Sequence, residues 1–180
     1  MPGKNNVFIA TSIDGYIADK NGEIDWLDAI PGLKDIDTGY DAFMSEIDAL
    51  VMGRVTFETV NGFDMDWPYQ KPVFVVSTTM TQIPVELKGK VQLVKGTLEN
   101  IVKKIHQEGY HNLYIDGGNL IQSFLRADLI DEMIITVIPI LLGGGHPLFG
   151  KLTTRLDFVC QATKLFLNSV VQNHYVRRHA

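Results

Sequence analysis

The sequence is short of the features that mark secreted proteins and metal-binding proteins. Cys160 is the one cysteine among 180 residues, which excludes an intrachain disulfide and a thiolate metal cage. The five histidines show no ligand spacing within one element, so we expect no metal. The apolar stretch around Cys160 predicts a buried structural thiol.

Long apolar runs and basic clusters are also missing. The longest apolar run, residues 133–142, is interrupted by Thr136 and Pro139 and is too short for a membrane span. The N-terminus lacks the apolar core of a signal peptide, so we expect a cytoplasmic protein. The formal net charge of −5 argues against nucleic-acid binding, which normally needs a concentrated basic patch.

The composition is that of a globular protein, with 46% hydrophobic and 21% charged residues, and we expect one domain over residues 1–180. Strands and helices alternate through the first two-thirds, and strands alone follow. This order predicts an α/β fold: a mostly parallel central sheet with helices on both faces and an antiparallel C-terminal edge. Apolar, β-branched runs predict strands at residues 7–13, 49–52, 72–77, 91–94, 113–115 and 133–140.

Helices are predicted between these strands. Apolar residues at helical spacing begin at Tyr40 and again at Leu98, and Gly109 ends the second of these helices. Shorter helices follow Gly53 and the pair Gly117-Gly118. Residues 156–176 are β-rich, with a hairpin turn at residues 168–169.

Residues 19–38, called the cover loop below, are rich in Gly, Asp and Pro and have Trp26 and Leu27 as apolar anchors. Loops of this length inside compact domains are uncommon and tend to be lids or binding loops. An ordinary surface loop is the alternative for residues 20–22.

Two predicted helices begin directly after a strand and a glycine, at Gly53 and at Gly117. A helix N-terminus offers free N–H groups and a positive dipole end, and glycine lets a phosphate approach closely. Arg54 and Thr56 add a cation and a hydroxyl, and Ser77 begins a run of hydroxyl residues after a third strand. Each glycine alone is explained as well by a tight turn, but the three strand ends together could span a dinucleotide.

The order of these features resembles the dihydrofolate-reductase superfamily, and more closely the C-terminal reductase domain of bifunctional riboflavin-biosynthesis deaminase-reductases. The resemblance covers most of the chain. It is carried by residues 9–18 (Ile-Ala-Thr-Ser-Ile-Asp-Gly-Tyr-Ile-Ala), residues 50–58 around Met-Gly-Arg-Val-Thr, residues 75–78 (Val-Val-Ser-Thr), residues 114–120 (Tyr-Ile-Asp-Gly-Gly-Asn-Leu) and the strand over residues 133–139.

The resemblance implies that the cofactor is NADPH. The nicotinamide would lie between Ala10 and Ile17, and Arg54 would lie near the adenosine 2′-phosphate, which favours NADP over NAD. The other implied cofactor residues are Gly53, Val55 and Thr56 at the phosphates, Ser77 and Thr78 at the adenosine, and Gly117, Gly118, Asn119 and Leu120 at the pyrophosphate.

On the substrate side, the resemblance implies that residues 19–26, the first part of the cover loop, close over the nicotinamide. It places Trp26 and Thr136 beside the substrate, although Thr136 could equally be a packed strand residue. Folate reductases carry an acid on the first helix, and the matching positions are Asp37 and, one turn further on, Asp41. A helix N-cap is the alternative for Asp37.

Three functions follow as hypotheses. The first is an NADPH-dependent reductase that transfers a hydride to a small pterin-like or ribosylamino-pyrimidine-like heterocycle. The second is the riboflavin-pathway 5-amino-6-(5-phosphoribosylamino)uracil reductase, whose substrate needs a basic subsite that the sequence does not obviously supply. The third is a nucleotide-binding homologue without turnover. The zinc deaminase motifs of the bifunctional proteins are absent. Residues 143–145 (Gly-Gly-Gly) are expected to form a flexible turn near the substrate. The resemblance also favours a homodimer.

Overall fold

The structure is a computed structural model, and it describes residues 3–179. Ten strands run through this part of the chain: β1 (Lys4–Ser12), β2 (Tyr16–Ala18), β3 (Ala49–Gly53), β4 (Val73–Val76), β5 (Val91–Val94), β6 (Asn112–Asp116), β7 (Glu132–Ile138), β8 (His146–Pro147), β9 (Phe158–Phe166) and β10 (Val170–Arg177). Eight of them form one sheet in the order β5-β4-β3-β6-β1-β7-β10-β9, and β2 pairs with β8.

The sheet is parallel except at one edge. The neighbouring pairs from β5 to β7 are all parallel, whereas β10 runs antiparallel to both β7 and β9. Parallel neighbours need a crossover connection, and helices supply most of these crossovers. The predicted fold class, a mostly parallel sheet with an antiparallel C-terminal edge, is therefore confirmed.

Four α-helices connect the strands: α1 (Tyr40–Glu46), α2 (Arg54–Asn61), α3 (Leu98–Gln107) and α4 (Gly118–Arg126). The start of α3 is fixed by Thr97, whose Oγ1 accepts a hydrogen bond from the Asn100 N–H. Three short 3-10 helices, Asp25–Ala29, Leu33–Asp35 and Val85–Leu87, complete the helical content of the described chain. Within residues 3–179, no helix has the length and apolar character that crossing a membrane requires.

Alternate residues of the central strands pack on opposite faces of the sheet. Val51 and Ile115 pack with α3 and α4, whereas Met52 and Tyr114 pack with α1 and α2. This follows from the two-residue period of a strand. Phe124 of α4 is fully buried on its face, and burial of such a side chain contributes about 1.5–3 kcal/mol. Both faces are therefore covered by helices, as the sequence predicted.

Three local predictions differ from the structure. Strand β7 ends at Ile138 because Pro139 follows and cannot donate to a ladder. The turn between β9 and β10 is centred on Leu167 and Asn168, both in the left-handed region, one residue before the predicted turn. Cys160 is exposed, so the prediction of a buried thiol is wrong: it lies on β9, an edge strand with one neighbour and mostly exposed residues.

Candidate active site

A cleft opens between β1 and β6 at the carboxyl ends of the parallel strands. β1 pairs with β6 through residues Lys4 to Asn6, whereas it pairs with β7 from Asn6 to Ser12. The two strands therefore part after Asn6, and the second half of β1 borders an opening. In parallel α/β sheets, ligands bind at such a point, outside the carboxyl ends of the strands.

The two glycine-marked turns meet at one side of this cleft. Gly117 has φ +96°, and a Cβ placed on it would overlap the Oγ1 atom of Thr56. A Cβ on Gly53 would lie 4.0 Å from the Cβ of Leu120. The first turns of α2 and α4 are thus in direct contact, and four of the residues predicted at the cofactor are brought together.

Ile17 joins this group from the strand β2. A Cβ on Gly118 would lie 2.6 Å from the Cδ1 atom of Ile17, so the absence of a side chain at Gly118 makes room for Ile17. Asn119 is exposed on the same first turn of α4. The N-terminus of α4 is therefore bordered by Ile17 on one side and by Thr56 on the other.

The remaining predicted cofactor residues lie at the neighbouring strand ends. The guanidinium of Arg54 donates two hydrogen bonds to the Glu58 carboxylate, at 3.0 and 2.8 Å, and both side chains are substantially exposed. Val55 beside it is exposed. Ser77 is buried, and its Oγ accepts hydrogen bonds from the backbone N–H groups of the following turn, while Thr78 is exposed.

The cover loop closes a cavity of about 290 Å³ over β1 and β7. Ala10 and Thr136 face each other across these strands and form part of its floor. The Thr136 Oγ1 accepts a 2.9 Å hydrogen bond from Gln172, whose Nε2 also donates to the Thr38 carbonyl. The ten residues that line the cavity are Phe8, Ala10, Leu27, Asp28, Leu33, Lys34, Ile36, Thr38, Thr136 and Ile138.

Trp26 anchors the cover loop, as the sequence predicted. Its side chain is 7% exposed and packs against Ile138 and Val170. The indole Nε1 has no hydrogen-bond partner among the described residues. Buried donors are nearly always paired in folded proteins, so this N–H is available to a ligand or a water.

The two acids predicted on the first helix lie outside the cavity lining. Asp37 is exposed, and its carboxylate accepts a 2.7 Å hydrogen bond from the backbone N–H of Gly39, the residue that caps α1. Asp41 is exposed in the first turn of α1. Asp37 therefore holds the turn before the helix. This role is close to that of a helix N-cap, which is the alternative interpretation of Asp37.

Asp116 is the buried acid of the cleft, and sequence reasoning missed it. It ends β6, and burial raises the pKa of its carboxyl to about 6, while a 2.9 Å hydrogen bond from the Gly117 N–H acts in the opposite direction. Burial, with a contribution from the Asp116 charge, raises the pKa values of Tyr40 and Tyr69. Burial is decided by the segments that the fold brings together, so the motif Ile-Asp-Gly-Gly gave no indication of it.

The Asp116 carboxyl lies on the cavity side of the sheet. Side chains two residues apart on a strand share a face, so Asp116 is on the face of Tyr114. The Tyr114 hydroxyl donates a 2.9 Å hydrogen bond to the carbonyl of Phe8, and Phe8 lines the cavity. A second acidic residue, Asp28, is exposed and is one of the residues that line the cavity.

The glycine-rich segment at residues 143–145 is held in place rather than loose. The Asp14 carboxylate accepts hydrogen bonds from the backbone N–H groups of Leu142 and Gly143, at 3.1 and 2.8 Å, and from the Ser12 hydroxyl. The Ser12 hydrogen bond is the main reason that the pKa of Asp14 is lowered. Together with the pairing of β8 to β2, these hydrogen bonds hold the turn at Asp14 that leads into β2, the strand that carries Ile17.

Comparisons with known proteins identify relatives of the whole chain. Residues 4–172 match the family model of the RibD C-terminal domain. The structure of a Shewanella sp. PV-4 protein, described as a candidate riboflavin biosynthesis protein, is 53% identical with a TM-score of 0.94 and covers 98% of this chain and 99% of its own. The uncharacterized protein YwjB of Bacillus subtilis is 38% identical over 179 residues, which are 98% of this chain and 99% of that protein.

A more distant structure shares the fold. A dihydrofolate reductase from Enterococcus faecalis, complexed with NADP(H), is 17% identical with a TM-score of 0.67, and 99% of each chain is covered. The sheet order and the antiparallel edge described above are those of this dihydrofolate-reductase-like fold. Because the family model matches residues 4–172, nearly the whole chain, this chain belongs to the RibD C-terminal domain family, a family of reductase domains.

Proposed function

We propose that the protein is an NADPH-dependent reductase that transfers a hydride to a small heterocyclic substrate. The observation that carries this proposal is the contact between the two glycine-marked turns, where Thr56 fills the space beside Gly117. Two helix N-termini thereby point at one cleft, which suits a pyrophosphate. The adjoining cavity of about 290 Å³ is at the small end of ligand sites and suits a single heterocycle.

The cofactor residues are assigned by position in this cleft. Gly53, Val55 and Thr56, with residues 117–120, would hold the phosphates, and Ser77 and Thr78 would border the adenosine. Ala10 lines the cavity and Ile17 borders α4, so a nicotinamide between them would face the cavity. When bound, NADPH supplies the hydride.

Arg54 is proposed to select the 2′-phosphate. Its guanidinium is held by Glu58 in an exposed pair, and exposed pairs contribute about 0–1 kcal/mol, so a phosphate can compete for it. A planar guanidinium binds a phosphate with two parallel hydrogen bonds. NADPH should therefore bind more tightly than NADH.

Asp116 is proposed to donate the proton that accompanies hydride transfer. When a C=N bond is reduced, carbon receives the hydride and nitrogen receives a proton. An acid with a pKa of about 6 is still partly protonated near neutral pH and can donate that proton, which solvent then replaces. We favour Asp116 over Asp37 and Asp41 because burial raises the pKa of the Asp116 carboxyl, whereas both of the other carboxylates are exposed.

Trp26 and Thr136 are proposed on the substrate side. Thr136 lies in the floor of the cavity, and Gln172 holds its hydroxyl in one orientation. Trp26 packs against Ile138, which lines the cavity, and its buried N–H has no partner among the described residues. A ring carbonyl or ring nitrogen of the substrate would give this donor a partner.

The experiment measures NADPH oxidation with dihydrofolate, with a dihydropterin and with 5-amino-6-(5-phosphoribosylamino)uracil. The last compound tests the second candidate, riboflavin-pathway reduction, which the Shewanella relative favours. Arg54→Ala should weaken NADPH binding at least about tenfold while leaving NADH nearly unchanged, since one charge-assisted hydrogen-bond pair is lost. Arg155→Ala, which removes another exposed arginine paired with a carboxylate, is the control. Equal losses for NADPH and NADH would contradict the role of Arg54, and NADPH binding without turnover of any heterocycle would favour the nucleotide-binding homologue.

We also propose a homodimer, which is supported by the resemblance to riboflavin-type reductases. Leu165 and Leu167 are exposed on and beside the edge strand β9, and exposed leucines on a sheet edge are typical of contacts between copies. Light scattering coupled to size exclusion distinguishes a dimer from a monomer. The cytoplasmic location stays a prediction, which cell fractionation would test.

A further inference from the structure

The cover loop concentrates the negative charge of the protein over the cavity. Its 20 residues contain six carboxylates and two lysines, so they account for −4 of the net charge of −5, although they make up a small part of the chain. The structure places this loop directly on the cavity, because six of the ten lining residues belong to it. The carboxylates are those of Asp19, Glu23, Asp25, Asp28, Asp35 and Asp37.

The cavity itself offers little to bind a phosphate. Lys34 is the one cationic residue among the ten that line it, and Asp28 is an acidic residue in the same lining. The buried carboxyl of Asp116 adds a further acid on the same face of the sheet. A phosphate monoester carries a charge of about −1.5 to −2 near pH 7 and normally needs arginines, lysines or free backbone N–H groups.

We propose that the substrate is an unphosphorylated heterocycle, neutral or cationic, and that the acidic cover loop discriminates against phosphate esters. The inference rests on the proposed function, since it concerns the substrate of the same site. Fields from clustered charges change the encounter rate of a charged ligand by about 10- to 1000-fold, and added salt screens them. The phosphates of NADPH are assigned instead to the starts of α2 and α4, where helix N-termini supply N–H groups that favour anions.

The test is a matched pair of ligands that differ by one phosphate. The riboside 5-amino-6-ribosylaminouracil and its 5′-phosphate are titrated against the full chain saturated with NADP⁺, and binding is followed by quenching of tryptophan fluorescence. We expect the riboside to bind at least about tenfold more tightly than the phosphate ester at low salt, and the difference to shrink as salt is raised.

Charge-reversal variants locate the effect. Asp25→Lys with Asp35→Lys changes two exposed acids of the cover loop that lie outside the cavity lining. The control, Glu86→Lys with Glu108→Lys, makes the same change in net charge just before β5 and β6, at the amino ends of the strands and so at the opposite end of the sheet. The cover-loop variant should strengthen binding of the phosphate ester about tenfold and leave the riboside unchanged, whereas the control should change neither.

Two results would overturn the inference. One is tighter binding of the phosphate ester than of the riboside by the unaltered chain. The other is binding of neither ligand, since the riboside is a neutral heterocycle of the class that the proposal names. A titration of NADPH on the same samples keeps the two proposals apart. Loss of NADPH binding contradicts the reductase proposal, whereas NADPH binding with a preference for the phosphate ester contradicts this inference alone.

Discussion

Replacing Gly117 by alanine tests whether the two helix N-termini are packed as described. The residue has φ +96°, where a side chain is strained by about 1–3 kcal/mol, and the new Cβ would overlap Thr56 Oγ1. Forcing an extra carbon into a packed contact costs about a further 1–3 kcal/mol. We therefore expect Gly117→Ala to lower the free energy of unfolding by about 2–6 kcal/mol and to weaken NADPH binding.

Gly89→Ala is the matched control. Gly89 has φ +84°, but a Cβ added to it would have nothing within 4 Å, so this variant introduces the backbone strain without the overlap. Urea unfolding of both variants measures the difference, which should be about 1–3 kcal/mol at an unchanged m value. Adding Thr56→Ala should recover part of the stability lost in Gly117→Ala, a coupling of about 0.5–3 kcal/mol. A Gly117→Ala variant as stable as Gly89→Ala would refute the packing described here.

Two other side chains allow independent predictions. Because the folded-state pKa of Asp116 is raised from 3.8 to about 6, the chain loses stability as pH rises through that window, by about 3 kcal/mol in total. Asp116→Asn should therefore be more stable than the unaltered chain at pH 8 and should flatten the pH dependence of urea unfolding between pH 4 and 6. The variant should also have lower turnover, and the fall in turnover above about pH 6 should disappear. An unaltered pH dependence would count against a buried Asp116. Trp26→Phe removes an unpartnered buried N–H, so the free energy of unfolding should change by less than about 1 kcal/mol. Substrate binding should weaken by up to about tenfold. Unweakened substrate binding would show that the indole N–H does not contact the substrate.

Local features of the sequence predicted much of the fold. The glycines at residues 53 and 117 mark strand-to-helix turns, and the helical spacing from Leu98 together with Gly109 fixed α3 to within two residues at its C-terminal end. These features depend on neighbours within a few residues. The contact of Thr56 with Gly117 joins distant segments, but both had already been recognised as possible anion sites.

The features that the sequence did not predict depend on which distant segments the fold brings together. Cys160 looked buried because its neighbours are apolar, but its exposure was decided by the position of β9 at the sheet edge. The burial of Asp116 depends on the segments that the fold packs around the end of β6, and the local motif does not show them. The turn between β9 and β10 was misplaced because Leu167 adopts a left-handed conformation that leucine rarely takes.

An equilibrium titration of the unaltered chain with NADPH and with NADH tests the central claim most directly. Nucleotide fluorescence reports dinucleotide binding without any assumption about the substrate. We expect saturable binding of NADPH at least about tenfold tighter than that of NADH, because Arg54 is placed to pair with the 2′-phosphate. Absence of saturable binding by either nucleotide would contradict the assignment of this cleft to a dinucleotide.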